Sequence, residues 1–241
     1  MKYAVFSDVH GNLEALMAVV KDVRKRRISQ MFFVGDAVGY GPDPDECARV
    51  LKDECGVLIA GNHDWAVLGL TDLEDFNPYA REAIEWTIRK ITEETRGALE
   101  KFILSKGLRD KNAFFVHATP RDPEKWHYLF SLWDAEDSFD HFEEKICFIG
   151  HSHQPFIIEK LPSGEMVTHR SRVPLGETER YIVNVGSVGQ PRDGDPRASY
   201  AVFDGETITV HRVSYPVEKT QSKMRSHGLS PLLIDRLARG V

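Results

Sequence analysis

Five apolar runs in the first 150 residues end in the same way: the run stops, and a side chain able to bind a metal follows within a few positions. The endings read Ser7-Asp8-Val9-His10, Gly35-Asp36, Gly61-Asn62-His63-Asp64, His117 and Gly150-His151-Ser152-His153. They offer Asp8, His10, Asp36, Asn62, His117, His151 and His153 as metal ligands, with His63 left over. That is too many ligands for one divalent ion that must keep an open position, and it suits two ions sharing a bridge. Mixed nitrogen and oxygen donors without a thiolate point to Mn, Fe, Zn, Co or Ni, with manganese the first choice for assay, rather than Mg or Ca. Two such ions about 3.5–4 Å apart can lower the pKa of a shared water and so make a nucleophile near neutral pH. Asn62 can bind metal through its amide oxygen while its nitrogen donates to a substrate. His63 can be oriented by Asp64 through a ring-nitrogen hydrogen bond and stand beside that substrate as a proton donor.

The elements that carry these residues follow from hydrophobic periodicity. Strand candidates are Tyr3–Phe6, Met31–Val34, Val57–Ala60, Ala113–Val116 and Cys147–Ile149, alternating with helical spacing over Asn12–Arg26 and Asp45–Asp53. Alternation of this kind predicts βαβ units, and ligands of such sheets bind beyond the carboxyl ends of the strands, so five parallel strand ends should line one crevice. In extended chain, residues i and i+2 point the same way, which would pair Asp8 with His10 and His151 with His153 and send Asn62 and His63 apart. Glycines 35, 61 and 150 permit sharp turning or close backbone approach beside the ligands. Pro78–Leu104 reads as one or two amphipathic helices broken near Gly97, part of a helical insertion over about residues 65–111. Later runs, Phe156–Lys160, Met166–His169, Tyr181–Val185, Tyr200–Phe203 and Thr207–Val213, are separated by turn residues and predict antiparallel pairing, and Ser230-Pro231 opens a short last helix. No repeat or flexible linker divides the chain, so residues 1–241 are expected to share one domain.

Composition narrows the chemistry further. At 241 residues a chain can bury a full core without staples. With 31 Lys and Arg against 37 Asp and Glu, the net charge of −6 gives no general attraction to nucleic acid or to an anionic membrane. Cys47, Cys55 and Cys147 lack CxxC spacing, which excludes a zinc ribbon and fits reduced thiols. The apolar run at the N-terminus is interrupted early by Asp8 and no stretch reaches membrane-spanning length, so a cytoplasmic location is expected.

Taken in order, Asp8-x-His10, Gly35-Asp36, Gly61-Asn62-His63-Asp64, His117 and Gly150-His151-x-His153 resemble the motifs of the calcineurin-like metallophosphoesterase superfamily. The resemblance implies an α/β (α+β) fold, a four-layer αββα sandwich of two mixed β-sheets flanked by helices. It also implies that Asp8, His10, Asp36 and His153 hold one metal and Asp36, Asn62, His117 and His151 the other, with Asp36 as the bridge and His63 as the acid. The implied activity is hydrolysis of a small phosphodiester or phosphomonoester, nucleotides included, by a metal-bridging hydroxide. Alternatives are a nuclease of the same chemistry, which the acidic balance disfavours, and a non-catalytic interaction module on the same fold.

Two departures point within the superfamily. The stretch Asp36-Ala37-Val38-Gly39-Tyr40-Gly41-Pro42 lacks the Asp-Arg-Gly signature of the protein phosphatases and symmetric dinucleoside-tetraphosphate hydrolases, and Asp64 stands where those phosphatases usually have glutamate. The chain looks more like the small bacterial and archaeal phosphodiesterases, and Arg192 or Arg121 would then supply the missing phosphate-binding arginine. Asn184 to Asp195 resembles their Asn-x-Gly-Ser turn, with Val185 where many carry proline, and is either an anion-binding loop or a plain tight connection. His127 lies near Arg121, Trp126 and Tyr128 in sequence and is the one further histidine within plausible reach of a substrate. The run Lys21, Arg24, Lys25, Arg26, Arg27 closes a helix, where positive charge complements the helix dipole.

Overall fold

A computed structural model describes residues 2–241. In chain order the elements are β1 (Tyr3–Phe6), α1 (Leu13–Lys25), β2 (Met31–Val34), α2 (Pro44–Glu54), β3 (Val57–Ile59), α3 (Asn62–Leu68), α4 (Pro78–Lys90) and α5 (Glu93–Leu99). There follow β4 (Ser105–Leu108), β5 (Ala113–Val116), α6 (Leu132–Phe139), β6 (Ile146–Ile149), β7 (Phe156–Lys160), β8 (Met166–His169), β9 (Arg172–Pro174) and β10 (Arg180–Asn184). The chain closes with β11 (Ala198–Phe203), β12 (Thr207–Val213), α7 (Val217–Ser226) and α8 (Pro231–Leu237). The strands form two mixed six-stranded sheets, ordered β3-β2-β1-β11-β12-β9 and β4-β5-β6-β10-β7-β8. In the first, β1, β2 and β3 are parallel; in the second, β5, β6 and β10 are parallel.

Strand alternation explains the layers. Tyr3 and Val5 point between the sheets, where they meet Phe32, Val34, Phe115, Phe148, Tyr181 and Val183. Ala4 and Phe6, on the other face of the same strand, pack with Leu16, Val19, Val20 and Val23 of α1. Asn12 caps α1 by accepting from Ala15 N, and Arg24 and Lys25 occupy its last turn as the dipole argument requires. Outside the second sheet, Phe139 and Ala135 of α6 cover Cys147, Ile149 and Ile182. The expected sandwich of two mixed sheets flanked by helices is therefore what the chain forms.

Several boundaries differ from the periodicity reading. The five strand ends that carry the candidate ligands belong to two sheets, three in one and two in the other, so the cluster gathers the carboxyl ends of strands from both sheets rather than lying along one open sheet. Asn62 opens helix α3 instead of extending β3, which ends at Ile59. The break in the long helical stretch falls at Ile91 and Thr92, because the Thr92 side chain caps α5 by accepting from Thr95 N, and Gly97 lies inside that helix. Residues 65–111 are not wholly helical, since β4 within them pairs antiparallel with β5. Strands β4 and β9 give little periodic signal for a common reason: both are short, polar edge strands. All three cysteines are free, and among the described residues no helix is long and apolar enough to cross a membrane.

The layer between the sheets depends on a few rings. Phe148 is fully buried, stacked on Phe115 with centroids 5.5 Å apart and set edge-on to Tyr3 at 5.9 Å. Phe148→Ala is expected to lower the unfolding free energy by about 3–5 kcal/mol. Denaturant unfolding measures this, and a loss below about 1 kcal/mol would mean the neighbours collapse into the gap.

Candidate metal centre

The residues at the strand ends sit on unusual backbone. Asp8, His10, Asp36, His151 and His153 all have positive φ, between 49° and 66°, in the left-handed region that side chains other than glycine, asparagine and aspartate seldom enter. Each such residue costs roughly 1–2 kcal/mol, and the strain persists only where surrounding bonds fix the conformation. Those bonds are present. Asp8 N donates to Gly35 O and His10 N to Asp36 O, both at 2.9 Å, and Gly150 N donates to His117 O at 2.8 Å. From the loop after β10, Ser187 Oγ and Gly189 N both donate to Asp8 O, at 2.8 Å each. The backbone at these positions is left-handed rather than extended, yet Asp8 Oδ1 and His10 Nε2 still lie 3.8 Å apart as paired, whereas His151 and His153 fall in different groups of candidate ligands. The side chains converge nonetheless.

Three imidazoles are held in one tautomer. The Nδ1 atoms of His10, His117 and His153 face the carbonyl oxygens of Val38, Val34 and Gln190 at 3.1, 2.8 and 2.6 Å. A carbonyl only accepts, so each Nδ1 carries a proton, and each Nε2 turns inward with a lone pair whenever the ring is neutral. The Nε2 atoms of His10 and His153 are 3.1 Å apart, and that of His153 is 3.2 Å from Asp8 Oδ1. Asp36 Oδ2 lies 3.6 Å from His10 Nε2 and 3.4 Å from His117 Nε2, between two groups of donors. Asn62 Oδ1 is 3.3 Å from His117 Nε2. Ligand atoms of Asp8, His10 and His153 lie within 4.8 Å of one another, as do those of Asp36, His117 and His151 and those of His10, Asp36 and His63.

Burial and neighbouring charge set the protonation. Burial works against ionisation of Asp8 and Asp36, yet the imidazoles, chiefly His153 for the first and His117 for the second, hold both carboxyls well below the usual carboxylate range. Burial pushes His10 well down, His63 to about 4 and His151 to about 3. His117 goes the other way: burial opposes its charging, but the Asp36 carboxylate lifts it to about 9. At neutral pH the cluster thus sets two buried carboxylates against one imidazolium, a surplus of negative charge that is costly away from water.

The donor set fits divalent metal ions. Asp8 Oδ1 and His151 Nε2 are buried and lack a hydrogen-bond partner, and His10 and His153 direct lone pairs at each other. A cation satisfies all of these groups and offsets the surplus charge. Two glycines make room for the convergence. A Cβ at Gly61 would lie 2.0 Å from Asp36 Oδ1, and one at Gly150 would lie 2.5 Å from Asp8 Oδ2.

Asp64 acts differently from the expected partner of His63. Its Oδ1 accepts from the backbone N–H groups of Ala37 and Val38 at 2.9 and 3.3 Å, and its Oδ2 from those of Asp36 and Gly61 at 3.0 Å each. No hydrogen bond joins it to the His63 ring, whose Nδ1 is buried without a partner. Asp64 lies on the first turn of α3, so its short side chain turns back onto the loops rather than along the helix to its neighbour. The His63 ring is positioned by packing instead, 4.7 Å from His10, 4.6 Å from Tyr40 and 5.2 Å from Phe76.

A cavity of about 400 Å³ opens above the cluster, with Asp36, Asn62, His63, His151 and His153 among its lining residues. Arg192 also lines it, donating to Gln190 Oε1 at 2.9 Å with its guanidinium 5.7 Å from the Tyr40 ring centroid. Arg121 and His127 line a different cavity, of about 580 Å³, which shares Tyr128 with the first. Arg121 is also engaged there by Asp137 at 3.1 Å. In the loop from Asn184 to Asp195, Ser187, Gly189 and the Gln190 carbonyl brace the cluster, while Arg192 reaches the cavity. Tyr40, Trp126 and Tyr128 are cavity residues that periodicity does not single out, and a ring stack of Tyr128 on His151 at 4.0 Å has no sequence signal at all.

Comparison with known proteins places this geometry. The model for the calcineurin-like phosphoesterase superfamily domain matches residues 1–207. An uncharacterized protein of Methanocaldococcus jannaschii is 40% identical over 241 residues, covering 98% of this chain and 97% of that one. A metallophosphoesterase from Sphaerobacter thermophilus superimposes with a TM-score of 0.88 at 40% identity, over 100% of this chain and 99% of the other. A hypothetical protein from Pyrococcus horikoshii shares the fold, with a TM-score of 0.80 at 18% identity over 100% and 98% of the two chains.

Because four N–H groups depend on Asp64, Asp64→Asn would turn an amide NH₂ toward donors and leave at least one of them unpaired. The expected loss is about 1–3 kcal/mol of unfolding free energy. Thermal or denaturant unfolding checks it, and unchanged stability would show that the four bonds are dispensable.

Proposed function

The chain belongs to the calcineurin-like phosphoesterase superfamily, and from that premise we propose that it is a dinuclear metal-dependent hydrolase of small phosphate esters. The observation that carries this reading is the place of Asp36 Oδ2, within 3.6 Å of His10 Nε2 and 3.4 Å of His117 Nε2. One carboxylate oxygen between two donor groups is what a bridging ligand requires. In this reading Asp8, His10, Asp36 and His153 hold one ion, and Asp36, Asn62, His117 and His151 hold the other. Divalent ions there would supply the Lewis acidity that neutralises phosphoryl oxygens and ionises water near neutrality.

The chain's own residues do the rest. Asn62, with its oxygen toward the cluster, leaves its NH₂ free to donate to a phosphate oxygen. Arg192 brings a guanidinium to the cavity, and its hydrogen bonds go only to the neutral groups Gln190 and Tyr40, so its charge is available to an anionic ester. It is the better candidate for the phosphate-binding arginine, since Arg121 is tied to Asp137 beside the neighbouring cavity. His63 is neutral at physiological pH and serves as a hydrogen-bond donor to the leaving oxygen, held in place by its ring packing and by His63 N donating to Asp36 Oδ1 at 2.9 Å. The acidic balance and the limited size of the cavity favour a small ester over a polymeric nucleic acid.

Purified protein supplied with Mn²⁺ is expected to hydrolyse bis-p-nitrophenyl or p-nitrophenyl phosphate, with activity lost on chelation. Asp36→Asn should abolish nearly all of it, and wild-type turnover in that variant would overturn the bridging role. His63→Gln should keep both metals while turnover falls by about 10²–10⁴-fold. Since His63 also lies within ligand distance of His10 and Asp36, metal analysis is the deciding measurement: loss of an ion would make His63 a ligand instead.

A further inference from the structure

Among the described residues, seven buried polar side-chain atoms lack a hydrogen-bond partner: Tyr3 Oη, Asp8 Oδ1, His63 Nδ1, Trp126 Nε1, His151 Nε2, Gln190 Nε2 and Arg192 Nε. All but the first belong to the cluster, to its cavity or to the loop that braces it. The unpaired atoms of Asp8 and His151 can face a cation. An indole N–H cannot, because it carries no lone pair for a metal and does not ionise. The same holds for the Nε–H of Arg192. Both residues line one cavity, and their two donors, buried at its wall without a partner, call for an acceptor.

The backbone around Trp126 gives a second, independent observation. Asp122 and Trp126 flank the short turn of Pro123 to Lys125, and both are left-handed, with φ of 44° and 53°. A bulky aromatic residue in that region is an outlier, and such outliers gather at ligand sites. Here the conformation seats the indole edge-on against Trp65 at 5.2 Å and His117 at 6.0 Å, beside a candidate metal ligand.

We propose that the Trp126 indole N–H, together with the Arg192 Nε–H, binds the anionic oxygens of the substrate's phosphate group over the candidate metal centre. This rests on the phosphoesterase reading above but extends it, since it assigns substrate contact to a residue outside the ligand motifs. Trp126 is then a specificity-determining residue for oxyanions. Apolar contact from its ring would remain if the N–H were removed, so the two contributions can be separated.

The test is a titration of zinc-loaded protein, labelled with ¹⁵N-tryptophan, with inorganic phosphate, and with chloride as control. The Trp126 indole resonance is assigned by its absence in Trp126→Phe, or in Trp126→Tyr should the first variant unfold. The expected result is a saturable shift of that resonance with phosphate and not with chloride, while those of Trp65, Trp86 and Trp133 move less. Trp126→Phe should also lose about tenfold in kcat/KM toward bis-p-nitrophenyl phosphate, with metal content and melting temperature unchanged. A resonance indifferent to phosphate, or a Phe variant with wild-type kcat/KM, overturns the proposal. Should the wild-type protein hydrolyse no phosphate ester, the functional reading fails, and the titration alone decides whether Trp126 binds the anion.

Discussion

A buried carboxylate whose hydrogen bonds all come from backbone N–H groups governs the site. Asp64 gathers the N–H groups of Asp36, Ala37, Val38 and Gly61 onto its two oxygens, joining the loop after β2 to the start of α3. Those loops carry Asp36, Asn62 and His63, so the bridge candidate, the amide and the proposed donor to the leaving oxygen are set relative to one another by one side chain. The arrangement also explains how Asp36 can remain left-handed. Its N–H is bonded to Asp64 and its carbonyl to His10 N, which leaves the intervening dihedrals little freedom. His10, itself left-handed, is thereby tied to the same frame.

Strain and electrostatics act in the same direction here. Five left-handed residues and the buried, unpaired atoms Asp8 Oδ1 and His151 Nε2 are each unfavourable to the folded chain, and all fall within one cluster. A binding energy available only to the folded state can offset such costs, and divalent ions provide one of suitable size. The sheets supply the rest, since the apolar layer from Tyr3 to Phe148 fixes the ends of β1, β2, β5 and β6 before any loop is considered. Rigid strands with strained ends are a means of presenting ligands accurately without building them into the core.

The clustered side chains are legible in sequence because each stands at the end of a strongly apolar run, where type and spacing speak together. The two-layered sheet is less so. Strand β4 reads Ser-Lys-Gly-Leu and β9 reads Arg-Val-Pro, and edge strands with exposed faces carry no alternation to detect. Strand periodicity continued past Ala60 makes Asn62 extended, whereas the N–H groups freed by the helical turn are needed by Asp64 and Asp36. The role of Asp64 was missed for a related reason: adjacency to His63 in sequence suggests a pair, but on a helix neighbouring side chains diverge by a third of a turn or so. Contacts such as Tyr128 on His151 join segments far apart in the chain and have no local signature.

The last 34 residues, beyond the matched family segment, show why the cavity cannot be understood from the ligand motifs alone. Met224 of α7 and Leu233, Ile234 and Leu237 of α8 form one apolar cluster with Tyr40 and with Ala80, Ala83 and Trp86 of α4. Thr220 Oγ1 donates to Asn12 Oδ1 at 3.0 Å, and Lys223 pairs with both Glu14 and Asp43 at 2.7 and 2.8 Å. These contacts lie on either side of the loop Gly39-Tyr40-Gly41-Pro42, where the resembling phosphatases carry an arginine. Here the loop carries a tyrosine that packs on His10 and His63 and lies under Arg192. The C-terminal helices therefore hold the ring against which both the proposed donor and the proposed phosphate-binding arginine rest. An arginine from a distant loop can take the place of one lost near Asp36 only if something fixes its approach, and Tyr40, clamped from behind, is the group positioned to do so.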